Sequence, residues 1–282
     1  MSVSFSSFAS TLEEIGKKGF IKVGFRPASI PFSYLDKETG RHVGFSVDMA
    51  ELLADNLSRR FDKKIKIIPV NIKSNERIGA VTSGKIDIEM GSTTYTALRD
   101  ENVDFSLIFF ISETTFIAKK SSGVTSLADL ADKRLGSARG TSTLEQILSF
   151  VGKGFFKEEN LYRFDSLSSG MKAVREGEID AFATDRSLLE GLKSAEPDPE
   201  NWIVLDTAIG YDPYAFMLSE NQSDFRDFIN NSIRWSVQTG EFYRIYDKWM
   251  GENGVTPLKM SPALKEYLNV IAIPMSPNWY KR

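Results

Sequence analysis

Ala80-Val81-Thr82-Ser83-Gly84-Lys85-Ile86-Asp87 recurs further along the chain as Ala173-Val174-Arg175-Glu176-Gly177-Glu178-Ile179-Asp180. The shared pattern, AVxxGxID, predicts the same local structure twice. A helix ends, a glycine closes it with positive φ, and a buried strand follows, Ile86 to Met90 in one copy and Ile179 to Ala183 in the other. A single helix-to-strand connection of this kind is commonplace. Here the flanks correspond as well. The first strand runs into Gly91-Ser92-Thr93-Thr94 and the second into Thr184-Asp185-Arg186-Ser187, so each delivers polar side chains beyond its carboxyl end. Ligands of open α/β sheets bind at that end. Ser92 and Asp185 hold matching places, as expected of two similar lobes facing one cleft.

The surrounding segments extend the scheme. Ile21 to Phe25 and Ile65 to Val70 read as strands, and Ser46 is expected to cap a helix with Met49, Leu53 and Leu57 on its apolar face. Ser126-Leu127-Ala128-Asp129-Leu130 opens a short helix, Arg134 to Ala138 reads as a strand, and Gly140-Thr141-Ser142-Thr143-Leu144-Glu145 leads into a helix through Phe150. Strands alternating with helices argue for α/β lobes. Phe109 to Phe116, β-rich and free of Gly and Pro, is expected to cross between lobes, and a second crossing near Ile209-Gly210-Tyr211 returns the chain. Helix Phe225 to Gln238, with Phe228, Ile229, Ile233 and Val237 inward, and the segment Phe242 to Met250 then pack on the first lobe. The expected division is 1–111 with 210–282 as lobe one and 112–209 as lobe two, with the ligand cleft between them.

Composition narrows the chemistry. The 282 residues are 41% hydrophobic and 26% charged, enough for two cores. Net charge is -3 and no Lys/Arg run stands out, so the basic field that a nucleic-acid surface requires is missing. With no cysteine there is no thiol catalysis, zinc-thiolate site or disulfide. His42, the only histidine, follows the turn-forming Asp36-Lys37-Glu38-Thr39 and reads as an exposed loop residue, which excludes most histidine-dependent triads and metal sites. No metal or cofactor is expected. No apolar run approaches the roughly 18 residues of a membrane helix, and Met1-Ser2-Val3-Ser4-Phe5 has neither the basic start nor the apolar core of a signal peptide. A mature chain whose export signal is replaced by Met1 and a cytoplasmic chain are both compatible with this.

A family resemblance lies in an ordered succession of short stretches. These are Val23-Gly24-Phe25-Arg26 with Pro31-Phe32-Ser33-Tyr34, Gly44-Phe45-Ser46-Val47-Asp48-Met49-Ala50, Gly84-Lys85-Ile86-Asp87 with Gly91-Ser92-Thr93-Thr94 and Arg99, and Val103-Asp104-Phe105-Ser106. Leu127-Ala128-Asp129-Leu130, Gly140-Thr141-Ser142, Gly177 to Ala181 with Asp185, and Gly240 to Trp249 continue it. From about Leu12 to Met250 the chain resembles the bacterial periplasmic solute-binding proteins for polar amino acids that serve ABC transporters, especially the glutamate/aspartate-binding branch. The resemblance implies an α/β, two-lobed, type II periplasmic-binding-protein-like fold with a two-segment hinge. It further implies a monomer outside the cytoplasm, an acidic or polar amino acid as ligand and a transporter membrane permease as partner.

It also implies roles for matching residues. Arg99 resembles the arginine that clamps the ligand α-carboxylate through two parallel charged hydrogen bonds, against the bland reading of a surface arginine at a helix start. Asp185 resembles the carboxylate that receives the α-ammonium, and could equally cap a helix. Thr141 and the neighbouring amides resemble the second lobe's contact to the α-carboxylate at a helix N-terminus, with Ser142 as contact or cap. Ser92 and Thr94 resemble further contacts. Arg26, Ser74 and Arg77 resemble the acidic-ligand branch's side-chain site, two extra arginines pointing to a second ligand carboxylate. Where well-known glutamate/aspartate binders carry a histidine near the ligand side chain, this chain reads Asp165-Ser166-Leu167-Ser168-Ser169, and Arg139 is the alternative cation nearby. Two rivals share the architecture: a cyclohexadienyl dehydratase, for which Glu89 and Glu113 are the candidate proton donors, and an amino-acid sensor module.

Overall fold

The computed structural model describes residues 10–281; residues 1–9, which include Met1 to Phe5, and residue 282 lie outside the described residues. Helix α1 (Thr11–Lys18) opens it, with Glu13 and Glu14 in its first turn and Lys17 and Lys18 in its last, complementing the helix dipole. Strand β1 (Phe20–Phe25) leads to a small ribbon, β2 (Ala28–Ser29), β3 (Ser33–Leu35) and β4 (His42–Val43), and then to α2 (Phe45–Phe61). Ser46 is not the cap of α2, contrary to expectation. Gly44 holds that place at φ 132°, where a Cβ would lie 2.3 Å from the Phe32 carbonyl oxygen, and the Ser46 hydroxyl donates to the Gly91 carbonyl at 2.9 Å. His42 is likewise not an exposed loop residue. Pairing of β4 with β3 holds it half-buried, its ring 5.2 Å from Phe25 and its Nε2 2.7 Å from Asn71 Oδ1.

The chain continues through β5 (Lys66–Asn71), α3 (Arg77–Thr82), β6 (Ile88–Glu89), α4 (Ala97–Asp100), β7 (Asp104–Phe105) and the long β8 (Phe110–Lys119). Next come β9 (Leu135–Ala138), α5 (Ser142–Gly152), β10 (Leu161–Phe164), α6 (Leu167–Glu176), β11 (Ala181–Asp185), α7 (Arg186–Ser194) and β12 (Trp202–Val204). Strands β13 (Gly210–Tyr214) and β14 (Met217–Leu218) and helices α8 (Ser223–Gln238), α9 (Glu241–Met250) and α10 (Pro262–Ile271) complete it. The short helix expected at Ser126–Leu130 is a single 3-10 turn, Ala128–Leu130.

Two principal sheets result. The first has the order β5-β1-β6-β14-β7 and the second β10-β9-β11-β8-β12, with β13 also on β8. Strand β8 pairs with β13 through Phe110 to Thr114 and with β11 through Thr114 to Ala118. Because β7 precedes β8 and β14 follows β13, the chain passes between the sheets along two antiparallel strands.

The repeated octapeptide is the hub of each sheet. Gly84 and Gly177 close their helices at φ 69° and 75°. Asp87 Oδ2 accepts the Lys22 amide at 2.7 Å, and Asp180 Oδ2 accepts the Arg134 amide at 2.8 Å. Each aspartate amide in turn donates to the carbonyl of that same residue, Lys22 or Arg134. The isoleucine of each copy presses on a glycine in the neighbouring strand, since a Cβ on Gly24 would meet Ile86 Cδ1 at 2.6 Å and one on Gly136 would meet Ile179 Cδ1 at 2.5 Å. Gly24→Ala and Gly136→Ala are therefore expected to destabilise the fold by about 1–3 kcal/mol each by overpacking. Gly136→Ala should be the worse, because the Phe164 ring also blocks it at 2.7 Å. Urea unfolding midpoints check this.

Helix α8 buries Phe225, Phe228, Ile229, Ile233 and Val237. The C-terminal stretch, silent in the sequence reading, covers this region: α10 buries Leu264, Leu268 and Ile271, and the Trp279 ring lies 5.1 Å from that of Phe228. No helix among the described residues is long and apolar enough to cross a membrane.

Candidate functional site

The carboxyl ends of the first sheet's strands deliver three arginines to one place. Arg26 follows β1, Arg77 starts α3 after β5, and Arg99 lies on α4 after β6; they are 6%, 3% and 6% exposed. Arg77 Nη1 donates to Thr93 Oγ1 at 2.9 Å, and that hydroxyl donates to Glu89 Oε2 at 2.6 Å. Arg99 Nη1 donates to the Thr94 carbonyl at 2.7 Å. Both Arg77 and Arg99 also reach the Gly140 carbonyl, at 3.1 and 3.4 Å, on the turn between β9 and α5. Gly140 has φ 69°, and a Cβ there would lie 2.8 Å from Asn75 Cα, so glycine permits the two sheets' loops to touch.

Burial pushes Arg99 down to about 9 and Arg26 down to about 10, with the neighbouring Arg77 charge as the next cause in both cases. Burial also lowers Arg77, opposed by Glu89. Arg99 and Arg26 remain cationic at neutral pH. Arg26 is the least satisfied. Its amide donates to Ser33 Oγ at 3.0 Å, but among the described residues its guanidinium donates no hydrogen bond and forms no ion pair. The Ser74 and Ser92 hydroxyls are buried there, also without a partner among the described residues.

The second sheet supplies the opposite charge. Asp185 ends β11 and occupies the cap position of α7, yet its side chain makes no cap bond. It accepts instead from the Tyr214 hydroxyl and from Thr143 Oγ1, the latter at 3.3 Å. Burial raises its pKa well above the usual carboxylate range, and the charge of Asp212 raises it further. Its own charge reaches Arg26, Arg77 and Arg99, so the two ends of the site belong to one electrostatic unit.

Three expected contacts are engaged within the protein. Thr141 caps α5, accepting the Leu144 amide at 3.2 Å and donating its one hydroxyl proton to the Ala138 carbonyl at 2.8 Å. Ser142 Oγ lies 3.0 Å from both Thr94 Oγ1 and Asp212 Oδ1 and shares its one proton between them, and Thr94 Oγ1 donates to Asp212 Oδ1 at 3.1 Å. Arg139 is 53% exposed beside Asp165, and Ser166 caps α6 rather than facing the arginines.

The family whose model spans residues 21–252 is the bacterial extracellular solute-binding proteins, family 3. The chain belongs to that family. This solute-binding protein is 30% identical over 240 residues to the L-glutamate/L-aspartate-binding protein of Pseudomonas aeruginosa, covering 85% of this chain and 79% of the relative. It is 28% identical over 232 residues to the glutamine-binding protein of Geobacillus stearothermophilus, covering 82% and 84%. An ancestral amino acid-binding protein, a precursor of cyclohexadienyl dehydratase, superposes with a TM-score of 0.73 at 28% identity, covering 86% of this chain and 99% of that structure. The two-lobed type II fold expected from the resemblance is thus the fold of this solute-binding protein.

Sequence reasoning missed Asp212 and Tyr214. Both lie on the inward face of β13, 0% exposed, while Tyr211 is 71% exposed. The signal was available: a carboxylate and a tyrosine two residues apart, in a strand already expected to cross between lobes, share one face. Glu89 had been weighed only as an acid for a rival enzyme. It is fully buried beneath Arg77, and burial raises its pKa against the pull of that arginine.

Proposed function

We propose that this solute-binding protein captures glutamate or aspartate outside the cytoplasm by closing two lobes, 1–111 with 210–282 and 112–209, and presents it as a monomer to the membrane permease of an ABC transporter. Strands β8 and β13 form the hinge. Arg99, with the first-turn amides of α5, takes the α-carboxylate. Asp185 takes the α-ammonium, with Ser92 and Thr94 beside it. Arg26, Ser74 and Arg77 take the side-chain carboxylate. Closure is favoured by whatever the ligand contributes to the closed form alone.

The observation that carries the acidic ligand is Arg26. Arg26 is 6% exposed, and a guanidinium with no acceptor among the described residues is costly to bury unless an anion is brought to it. A neutral or basic side chain leaves that cost in place. Calorimetry against a panel of amino acids is expected to give glutamate and aspartate as the tightest ligands; tighter binding of glutamine or arginine overturns the assignment. Arg26→Met, which keeps the buried stem, should weaken glutamate by about 10- to 100-fold, the worth of a charged hydrogen bond of about 1.5–3 kcal/mol. Glutamine should change less than about threefold, because among the described residues the Arg26 guanidinium makes no hydrogen bond or ion pair.

The relatives' ligands and the arginine cluster favour binding over dehydration. Glu113 is paired with Arg186 at 3.0 Å, and Glu89 lies behind Thr93. Release of phenylpyruvate from prephenate by the purified protein would reverse that preference.

A further inference from the structure

Asp212 is assigned no ligand contact in the binding scheme, although its charge bears on Asp185, yet it is 0% exposed and lies on the crossing strand β13. Four side chains converge on it. Oδ1 accepts from Thr94 Oγ1 at 3.1 Å, from Ser142 Oγ at 3.0 Å and, more weakly, from Gln146 Nε2 at 3.5 Å. Oδ2 accepts from Thr114 Oγ1. These donors come from different bodies. Thr94 follows β6 of the first sheet, Ser142 and Gln146 occupy the first turns of α5 on the second, and Thr114 belongs to β8. Ser142 Oγ is also 3.0 Å from Thr94 Oγ1, so its single proton is shared between that hydroxyl and Asp212 across the cleft.

The Thr114 bond joins the two hinge strands and can persist at any lobe angle. The Thr94 bond lies within the first lobe, where the Tyr95 amide donates to the Pro213 carbonyl at 2.7 Å and the Ala215 amide to the Thr93 carbonyl at 3.0 Å; only the Ser142 bond to that oxygen requires the lobes together. Among the described residues no cation pairs with Asp212, so the Ser142 hydroxyl is what replaces its water when the cleft closes. We propose that Asp212 is the interlobe latch of this protein: a positioning residue that ties Thr94 of one lobe to Ser142 of the other only in the closed state, and thereby turns closure into affinity. Ser142 then acts through Asp212 and not by touching ligand. The inference rests on the lobe closure proposed above, and holds for whichever amino acid the cleft takes.

A double-mutant cycle tests it, with the wild type's tightest amino acid from the panel as probe. Asp212→Ala is expected to weaken binding about 30-fold and Ser142→Ala about 10-fold, and the double variant should bind no worse than Asp212→Ala alone, because both remove one coupled network. Multiplying losses, or an Asp212→Ala protein with wild-type affinity, overturn the latch. Asp212→Asn keeps the side-chain shape should the alanine variant fold poorly. It is expected to lose about three- to fivefold, and unchanged affinity there counts equally against the proposal. Small-angle scattering on the wild type separates the two readings. Absence of ligand-dependent compaction defeats lobe closure itself, whereas compaction with an additive cycle defeats only the latch.

Discussion

Arg99→Ala is expected to abolish useful binding of every α-amino acid, with a loss of about a thousandfold, while leaving the fold intact. Arg99 is 6% exposed, and its two terminal nitrogens are fixed by carbonyls from opposite sides of the cleft, Thr94 at 2.7 Å and Gly140 at 3.4 Å. A guanidinium held this way presents its remaining donors without paying further for ordering. Removing one partner of a desolvated charge pair costs about 3–5 kcal/mol, and each 1.4 kcal/mol is tenfold in affinity. Arg99→Lys keeps the charge and loses the paired geometry, so it should recover only a small part. Stability should hardly fall, since truncation also removes a cation whose burial and whose neighbour Arg77 already oppose it. Calorimetry for affinity and thermal melting of the ligand-free protein measure the two halves. A variant that binds within tenfold of wild type removes Arg99 from the α-carboxylate.

Asp185→Asn should cost about a hundredfold and also change how affinity depends on pH. In the ligand-free protein, burial and then the charge of Asp212 raise the Asp185 pKa well above normal. An ammonium placed against Asp185 lowers it again. Binding therefore expels a proton wherever the pH lies between the bound and free values. Affinity is full above the free-form pKa and declines as pH falls through it, by at most tenfold per pH unit. Glu89 works in the opposite sense. A ligand carboxylate beside Arg77 weakens the arginine's pull on Glu89, so binding there takes up a proton. The asparagine variant separates them, because only the Asp185 component disappears. Calorimetry in two buffers of different ionisation heat reads the proton count directly. If the Asp185→Asn protein releases as many protons as wild type, Asp185 is not the ammonium's partner.

Much of this architecture was legible because it is written twice. The duplicated octapeptide located a helix end, a left-handed glycine and a strand in each half, and what it leaves unsaid, the aspartate's bond to the next strand's amide, is the same in both. The arginines were legible only through the family resemblance, since an arginine at a helix start otherwise reads as a solvated surface residue. What stayed hidden depends on side chains meeting across long separations. Nothing near Ser142 announces that its hydroxyl turns to Thr94 and Asp212, and the sequence alone does not show that Thr141 caps α5, because a helix cap and an anion contact use the same residue type. His42 and Ser46 were misplaced for a related reason. Each was read from its local turn or cap pattern, while tertiary partners, Phe25 with Asn71 in one case and the Gly91 carbonyl in the other, set its place.

The order of strands in the first sheet bears on how the chain matures. Strand β6 has β14 as its neighbour, and β14 arrives only after the whole second sheet has been threaded. The second sheet, by contrast, is built from one continuous stretch and can assemble from nearer contacts. During synthesis the amino-terminal half therefore keeps an unpaired edge until the final portion emerges, which delays compaction and favours chaperone capture.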